Sequence, residues 1–183
     1  MSTRSAIGYP AGDGWRGRYV HYDGYPEVRG PDLWRIVKRD GVERAIEVLC
    51  HEHYGWSSID SEEVTPDEAG VTLDSKPADR VRVSGYGVAY DDTTADDWIT
   101  ECDLFIEWAY ILSEQGMAIE VSRPTGERLP ANPPSSYREP VYKGVQVAFV
   151  RWDEPEPDWA IVQEAGQRLG DENISKQQVA ADG

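Results

Sequence analysis

The residues able to do chemistry gather in the first third of the chain. His21 stands two residues before Asp23 in the run Tyr19-Val20-His21-Tyr22-Asp23-Gly24-Tyr25-Pro26. In extended backbone that spacing puts imidazole and carboxylate on one face, where the ring can exchange a proton near neutral pH and the acid can orient it. His51 and His53 flank Glu52, but the apolar period around them is helical, and a two-residue spacing on a helix points side chains apart. A metal site needs three or four convergent ligands, which such short pairs do not supply by themselves. The ordinary role of these histidines is a hydrogen bond within the fold. Ser2 offers a different chemistry: removal of Met1 would make it an N-terminal nucleophile, which also needs a base and oxyanion donors.

Two charges stand where the pattern predicts burial. Arg4 lies on an opening strand over residues 3–10, and Glu107 is the one charge in Leu104-Phe105-Ile106-Glu107-Trp108-Ala109-Tyr110-Ile111-Leu112. That run is apolar on both alternating faces and predicts a central strand. Buried charge is costly unless paired, and a structural ion pair is the commonest solution. The functional alternative is a pocket at the end of the sheet, where Arg4 contacts an anionic group while Glu107 or Asp23 accepts hydrogen bonds from a neutral one. Trp15, Tyr19, Tyr22 and Tyr25, interspersed with Arg16 and Arg18, could stack a planar ligand or form a protein interface, with the inward-facing rings serving the core. The candidate ligand-binding residues are therefore Arg4, His21, Asp23, Tyr25 and Glu107. Gly85-x-Gly87 lies inside a strand pattern, without the strand-turn-helix context of a dinucleotide site, and the sequence holds no Walker loop, His-Glu-x-x-His or Gly-x-Ser-x-Gly.

These groups must be held by a fold that the periodicity outlines. Strands are predicted over residues 3–10 and 15–22, turning at Gly12-Asp13-Gly14, then over 81–90, 104–112, 117–122 and 141–152. Gly30-Pro31-Asp32 has the form of a helix start, and apolar residues at helical spacing run on past an interruption at Asp40-Gly41 to a stop near Tyr54-Gly55. Residues 57–76 read as an acidic surface loop, 91–97 as an acidic turn, and 124–140 as a proline-rich loop. Pro155-Glu156-Pro157-Asp158 opens a last helix reaching Leu169. The expected architecture is α+β: a single antiparallel or mixed sheet of about five or six strands with helices packed on it. One domain over residues 1–170 is followed by a polar, frayed tail over 171–183.

Composition narrows the function classes. With 183 residues, 39% of them hydrophobic, the chain suits one core, and seven Trp and ten Tyr against two Phe supply much of its volume. No apolar run is long enough for a membrane span, and no apolar signal core follows Met1, which predicts a cytoplasmic protein. Cys50 and Cys102, without a CxxC pair, are expected as buried free thiols. A net charge of -16 argues against direct nucleic-acid binding, which needs clustered Lys and Arg. Its ordinary meaning is a solubilising surface, although such a field also attracts basic partners.

Ser2-Thr3-Arg4-Ser5-Ala6-Ile7-Gly8, the later Arg18-Tyr19-Val20-His21-Tyr22-Asp23-Gly24-Tyr25-Pro26, and Tyr54-Gly55-Trp56-Ser57-Ser58-Ile59 resemble small proteins of bacteriophages and actinobacteria. Those begin alike and carry a His-Trp-Asp-Gly-Tyr-Pro segment, with Tyr22 replacing the Trp here. The resemblance covers the first third and implies a phage or mobile-element accessory role, without supplying catalytic residues. The leading expectation is a non-enzymatic accessory protein that binds a small ligand or a protein partner. The alternatives are a hydrolase using His21 and Asp23 with a metal or Ser2, and an acidic DNA mimic that inhibits a DNA-binding protein.

Overall fold

Most of the helical structure is built in one stretch of chain, between the second strand and the third. The computed structural model describes residues 3–65, 72–73, 80–90, 97–128 and 140–169. Helix α1 (Pro26–Asp40) begins on a proline, whose fixed φ and missing N–H suit a first helical position. Glu27 in its first turn and Lys38 and Arg39 in its last complement the helix dipole. Pro31, expected as the first helical residue, lies inside α1: Pro26 already sets the required φ, and Pro31 removes only the bond to the Glu27 carbonyl. Gly41, at φ 83°, interrupts as predicted, and α2 (Val42–Ile46) continues into a π-helical turn (Glu47–Glu52). The carbonyls orphaned at its end are met by side chains. Trp56 Nε1 donates to Leu49 O at 2.9 Å and Arg18 Nε to Cys50 O at 3.0 Å.

The strands are β1 (Ser5–Ala11), β2 (Gly14–Val20), β3 (Gly55–Ile59), β4 (Thr72–Leu73), β5 (Arg80–Val83), β6 (Gly87–Tyr90), β7 (Trp108–Leu112), β8 (Gly116–Arg128) and β9 (Pro140–Arg151). They form one mixed sheet in the order β4-β5-β6-β3-β2-β1-β7-β8-β9. The pairs β1·β7 and β2·β3 are parallel and the others antiparallel. The nine strands among the described residues correct the expected five or six. Residues 81–90, read as one strand, make two because Gly85 (φ 75°) and Gly87 (φ 123°) adopt left-handed backbone that turns the chain between β5 and β6. The region read as an acidic loop contributes β3 at its start and β4 further on.

The central apolar run is also shorter than its pattern suggests. β7 starts at Trp108, while Leu104 and Phe105 are 57% and 60% exposed and Glu107 is exposed. Asp103 is the physical reason: one of its carboxylate oxygens accepts the N–H groups of Phe105 and Ile106, each at 2.7 Å, and this turn delays the strand. Helix α3 spans residues 159–169. Pro155 and Pro157 remain outside it, and Asp158 Oδ1 accepts Ala160 N–H at 3.0 Å as its cap.

One sheet face is covered by the helices. Ile7, Val20, Trp56, Tyr110, Leu112 and Ile119 pack there with Leu33, Ile36 and Val37 of α1 and with Trp159 and Val162 of α3. On the other face Ala6, Ala109 and Ile111 lie under Cys102 and Ile106, so residues 97–107 form a strap across the sheet. The strap is pinned where Gly17 and Ile99 exchange backbone hydrogen bonds of 2.8 and 3.0 Å. Both cysteines are buried and free, and burial pushes the Cys50 thiol up to about 12. Among the described residues no helix is long and apolar enough to cross a membrane.

At the far end of α1, Arg39 forks onto Asp40 at 2.8 and 2.7 Å, and Tyr86 O–H donates to the same carboxylate at 2.5 Å. Arg39, followed by Tyr86, holds the Asp40 carboxyl below its ordinary range. A depressed carboxyl adds stability above its unfolded pKa of about 4 and loses it as pH falls through the lower folded value. Asp40→Asn is therefore expected to destabilise the protein near neutral pH, with the difference from wild type shrinking by about pH 3. Urea unfolding at the two pH values measures this, and a pH-independent difference would remove Asp40 ionisation as the cause.

Candidate functional site

The segment that concentrates the candidate residues is a tight corner between β2 and α1. The chain leaves β2 at Val20, and Asp23 takes φ 48°, so the alternation expected through Asp23 stops early. His21 still shares a side with Tyr19: Tyr19 Oη and His21 Nδ1 are 2.8 Å apart, and the His21 ring meets Tyr22 edge-on. Gly24 N–H donates to Thr3 O at 2.8 Å, and Gly24 O accepts Tyr110 O–H at 2.7 Å.

Arg29 holds this corner from beneath. It is 1% exposed, and its guanidinium donates to Tyr22 O at 2.7 Å, Asp23 O at 3.3 Å and Ile59 O. Burial lowers its pKa, against the opposing influence of Tyr110 and the carboxylates of Asp32, Asp23 and Asp60. Sequence reading missed Arg29 because the helix was expected to start at Gly30-Pro31-Asp32, which left Arg29 ahead of it, and because an arginine ordinarily faces water.

Beside the corner lies an open cleft of about 570 Å³. Its walls are Tyr25 of the corner, Asp103, Leu104 and Glu107 of the strap, Trp108 of β7, Val121, Ser122, Arg123 and Pro124 of β8, Tyr142 of β9 and Gln167 of α3. β8 and β9 make it possible by running on past the start of β7 as a two-stranded ribbon. The backbone of Glu107 is fixed on both sides, its N–H bonded to Arg4 O at 3.1 Å and its O accepting Ser122 N–H at 2.8 Å. Arg123 donates to the carbonyls of Ser122 and Gly166, tying β8 to α3.

Of the five candidate residues, the structure brings Tyr25 and Glu107 to this cleft. Glu107 is not the buried charge its pattern implied; its side chain is exposed because the strand begins one residue later. Arg4 lies with its guanidinium over the Phe105 ring, 5.8 Å from the centroid. It also acts on Tyr19, whose phenol burial raises while the Arg4 charge opposes the rise. His21 belongs to that Arg4–Tyr19 neighbourhood, and Asp23 engages Arg29 through its backbone carbonyl. Ser2 lies outside the described residues. His51 meets the rings of Tyr9 and Trp98, and His53 that of Trp56. Among the described residues no group of three His, Cys, Asp or Glu side chains is placed to hold a metal.

The cleft has the make-up of a binding site, largely apolar walls carrying a few polar ends. The side chains of Tyr25, Glu107, Tyr142 and Gln167 have no hydrogen-bond or ion-pair partner among the described residues. By contrast, Ser122 O–H donates to the Asp103 backbone carbonyl at 2.5 Å, and one Asp103 carboxylate oxygen takes the amides of the strap's turn. No family of proteins, curated protein or solved structure matches the chain.

Proposed function

We propose that the chain acts by binding, as an accessory protein of a phage or mobile element, and that the cleft beside Tyr25 takes its ligand or partner. The observation that carries this reading is the union of a roomy, mostly apolar cleft with four polar side chains left unpartnered among the described residues. The accessory role rests on the resemblance of the opening segments. The rim adds further support: Tyr25, Leu104 and Phe105 are 37%, 57% and 60% exposed, and exposed apolar side chains gathered beside polar ones favour an interaction site.

Amide NMR spectra recorded with a library of neutral aromatic fragments test the reading. Fragments are expected to shift the amides of residues 104–108 and 121–124. Their affinity should fall about tenfold or more in Tyr25→Ala, the loss that goes with one large buried ring contact. The Tyr25 ring is exposed and its carbonyl alone caps α1, so the variant keeps the fold. Fragments that collect on another surface, or that bind Tyr25→Ala unchanged, would dismiss the cleft.

A further inference from the structure

We infer that the cleft receives a positively charged side chain, an arginine or lysine, carried on a segment of a basic partner protein. The inference rests on the binding reading above and assigns the chemistry of what is bound.

The first ground is the sign of the charge. The cleft contains the carboxylates of Asp103 and Glu107 and the guanidinium of Arg123. Arg123 keeps its charge but turns donors onto two backbone carbonyls, and Asp103 commits one carboxylate oxygen to the turn of the strap, so two carboxylates against one guanidinium leave the lining net negative. Glu107 remains, a carboxylate that can only accept hydrogen bonds and is held on a backbone fixed at both ends. An anionic ligand would meet Glu107 as a like charge; a guanidinium or ammonium would meet it as a partner. The chain's charge of -16 supplies the same preference at long range, drawing basic proteins toward it before contact.

The second ground is shape. Arg and Lys carry their charge on an apolar stem, which needs an apolar wall for its methylenes and a polar end for its head. Leu104 and Val121 offer the wall, and Tyr25 and Tyr142 offer aromatic faces of the kind that attract cations. The third ground concerns the source. A free amine whose stem lies against Leu104 would still leave Phe105 uncovered at 60% exposure, whereas a polypeptide segment crossing the rim would cover it.

The test uses two short peptides that differ in one group, Ac-Gly-Leu-Arg-Leu-Gly-amide and the same peptide with citrulline in place of arginine. Citrulline keeps the shape and removes the charge. With the full chain, the arginine peptide is expected to shift the amides of Glu107, Ser122 and Arg123. Its affinity should be about tenfold or more above that of the citrulline peptide, the gap between a charged and a neutral hydrogen bond. Glu107→Gln should close that gap, and added salt should narrow it. Agmatine, a free guanidinium amine, should bind more weakly than the arginine peptide; equal binding would remove the partner protein as the source. Equal binding of the two peptides at the cleft would overturn the charge assignment and leave the cleft standing. If neither peptide nor any neutral fragment shifts those amides, both the inference and the binding reading fall.

Discussion

Arg29→Ala is expected to cost about 3 kcal/mol or more of stability and to lower the melting temperature by roughly 6–12 °C. Three carbonyls, those of Tyr22, Asp23 and Ile59, take hydrogen bonds from this one guanidinium. Removing it leaves the buried Ile59 carbonyl without its donor, at about 1–3 kcal/mol if it stays unsatisfied, and takes a charge-assisted bond from each of the part-buried Tyr22 and Asp23 carbonyls, which water replaces only in part. A cavity term adds to this, because Arg29 is among the largest fully buried side chains. The opposing effect is the desolvation of a buried cation, shown by the lowered pKa, which alanine would relieve. Three hydrogen bonds to a charged donor outweigh it. Arg29→Met separates the contributions, since methionine fills much of the space and donates nothing. Chemical unfolding should rank wild type above Met and Met above Ala, and a methionine variant as stable as wild type would show that the carbonyls do not need Arg29. Because the same guanidinium ties the corner to β3, both variants should also weaken binding at Tyr25.

How much of this could be read beforehand follows from which interactions are local. The β1–β2 hairpin, the interruption at Gly41 and the β7–β8 hairpin were legible because turn residues and two-residue alternation sit together in the chain. The split of residues 81–90 was missed because alternation continues across Gly85 and Gly87, and only their positive φ marks the turn. Leu104 and Phe105 were assigned to a strand on hydrophobicity, yet Asp103 draws the amides of Phe105 and Ile106 into a turn, which leaves the Leu104 and Phe105 side chains exposed. The candidate site was legible in the same proportion. Tyr25 and Glu107, far apart in sequence, meet at the cleft. Their companions Tyr142 and Gln167 carry no local signal, because what brings them there is the length of the β8–β9 ribbon and the docking of α3.

That docking makes the second large prediction. A Cβ added to Gly166 would fall 2.2 Å from Trp108 Cη2, and one added to Gly30 would fall 2.2 Å from Trp159 Cε3. Each glycine thus lets an indole lie directly on a helix backbone, and the two together seat α3 against α1 and β7. On an exposed helix, Gly→Ala adds about 1 kcal/mol of stability through propensity alone. Gly166→Ala should reverse that sign and cost about 2 kcal/mol, since Trp108 is 3% exposed and has no room to swing aside. The carbonyl of Gly166 also accepts from Arg123, and Gln167 lines the cleft, so a displaced α3 reshapes the binding site as it loses stability. A double-mutant cycle decides the cause: Trp108→Phe shortens the ring, and in its presence Gly166→Ala should cost markedly less than in wild type. A stabilising Gly166→Ala, or one whose cost ignores the ring at position 108, would mean that α3 is not held by this contact. The cleft would then have to be bounded by its strands alone.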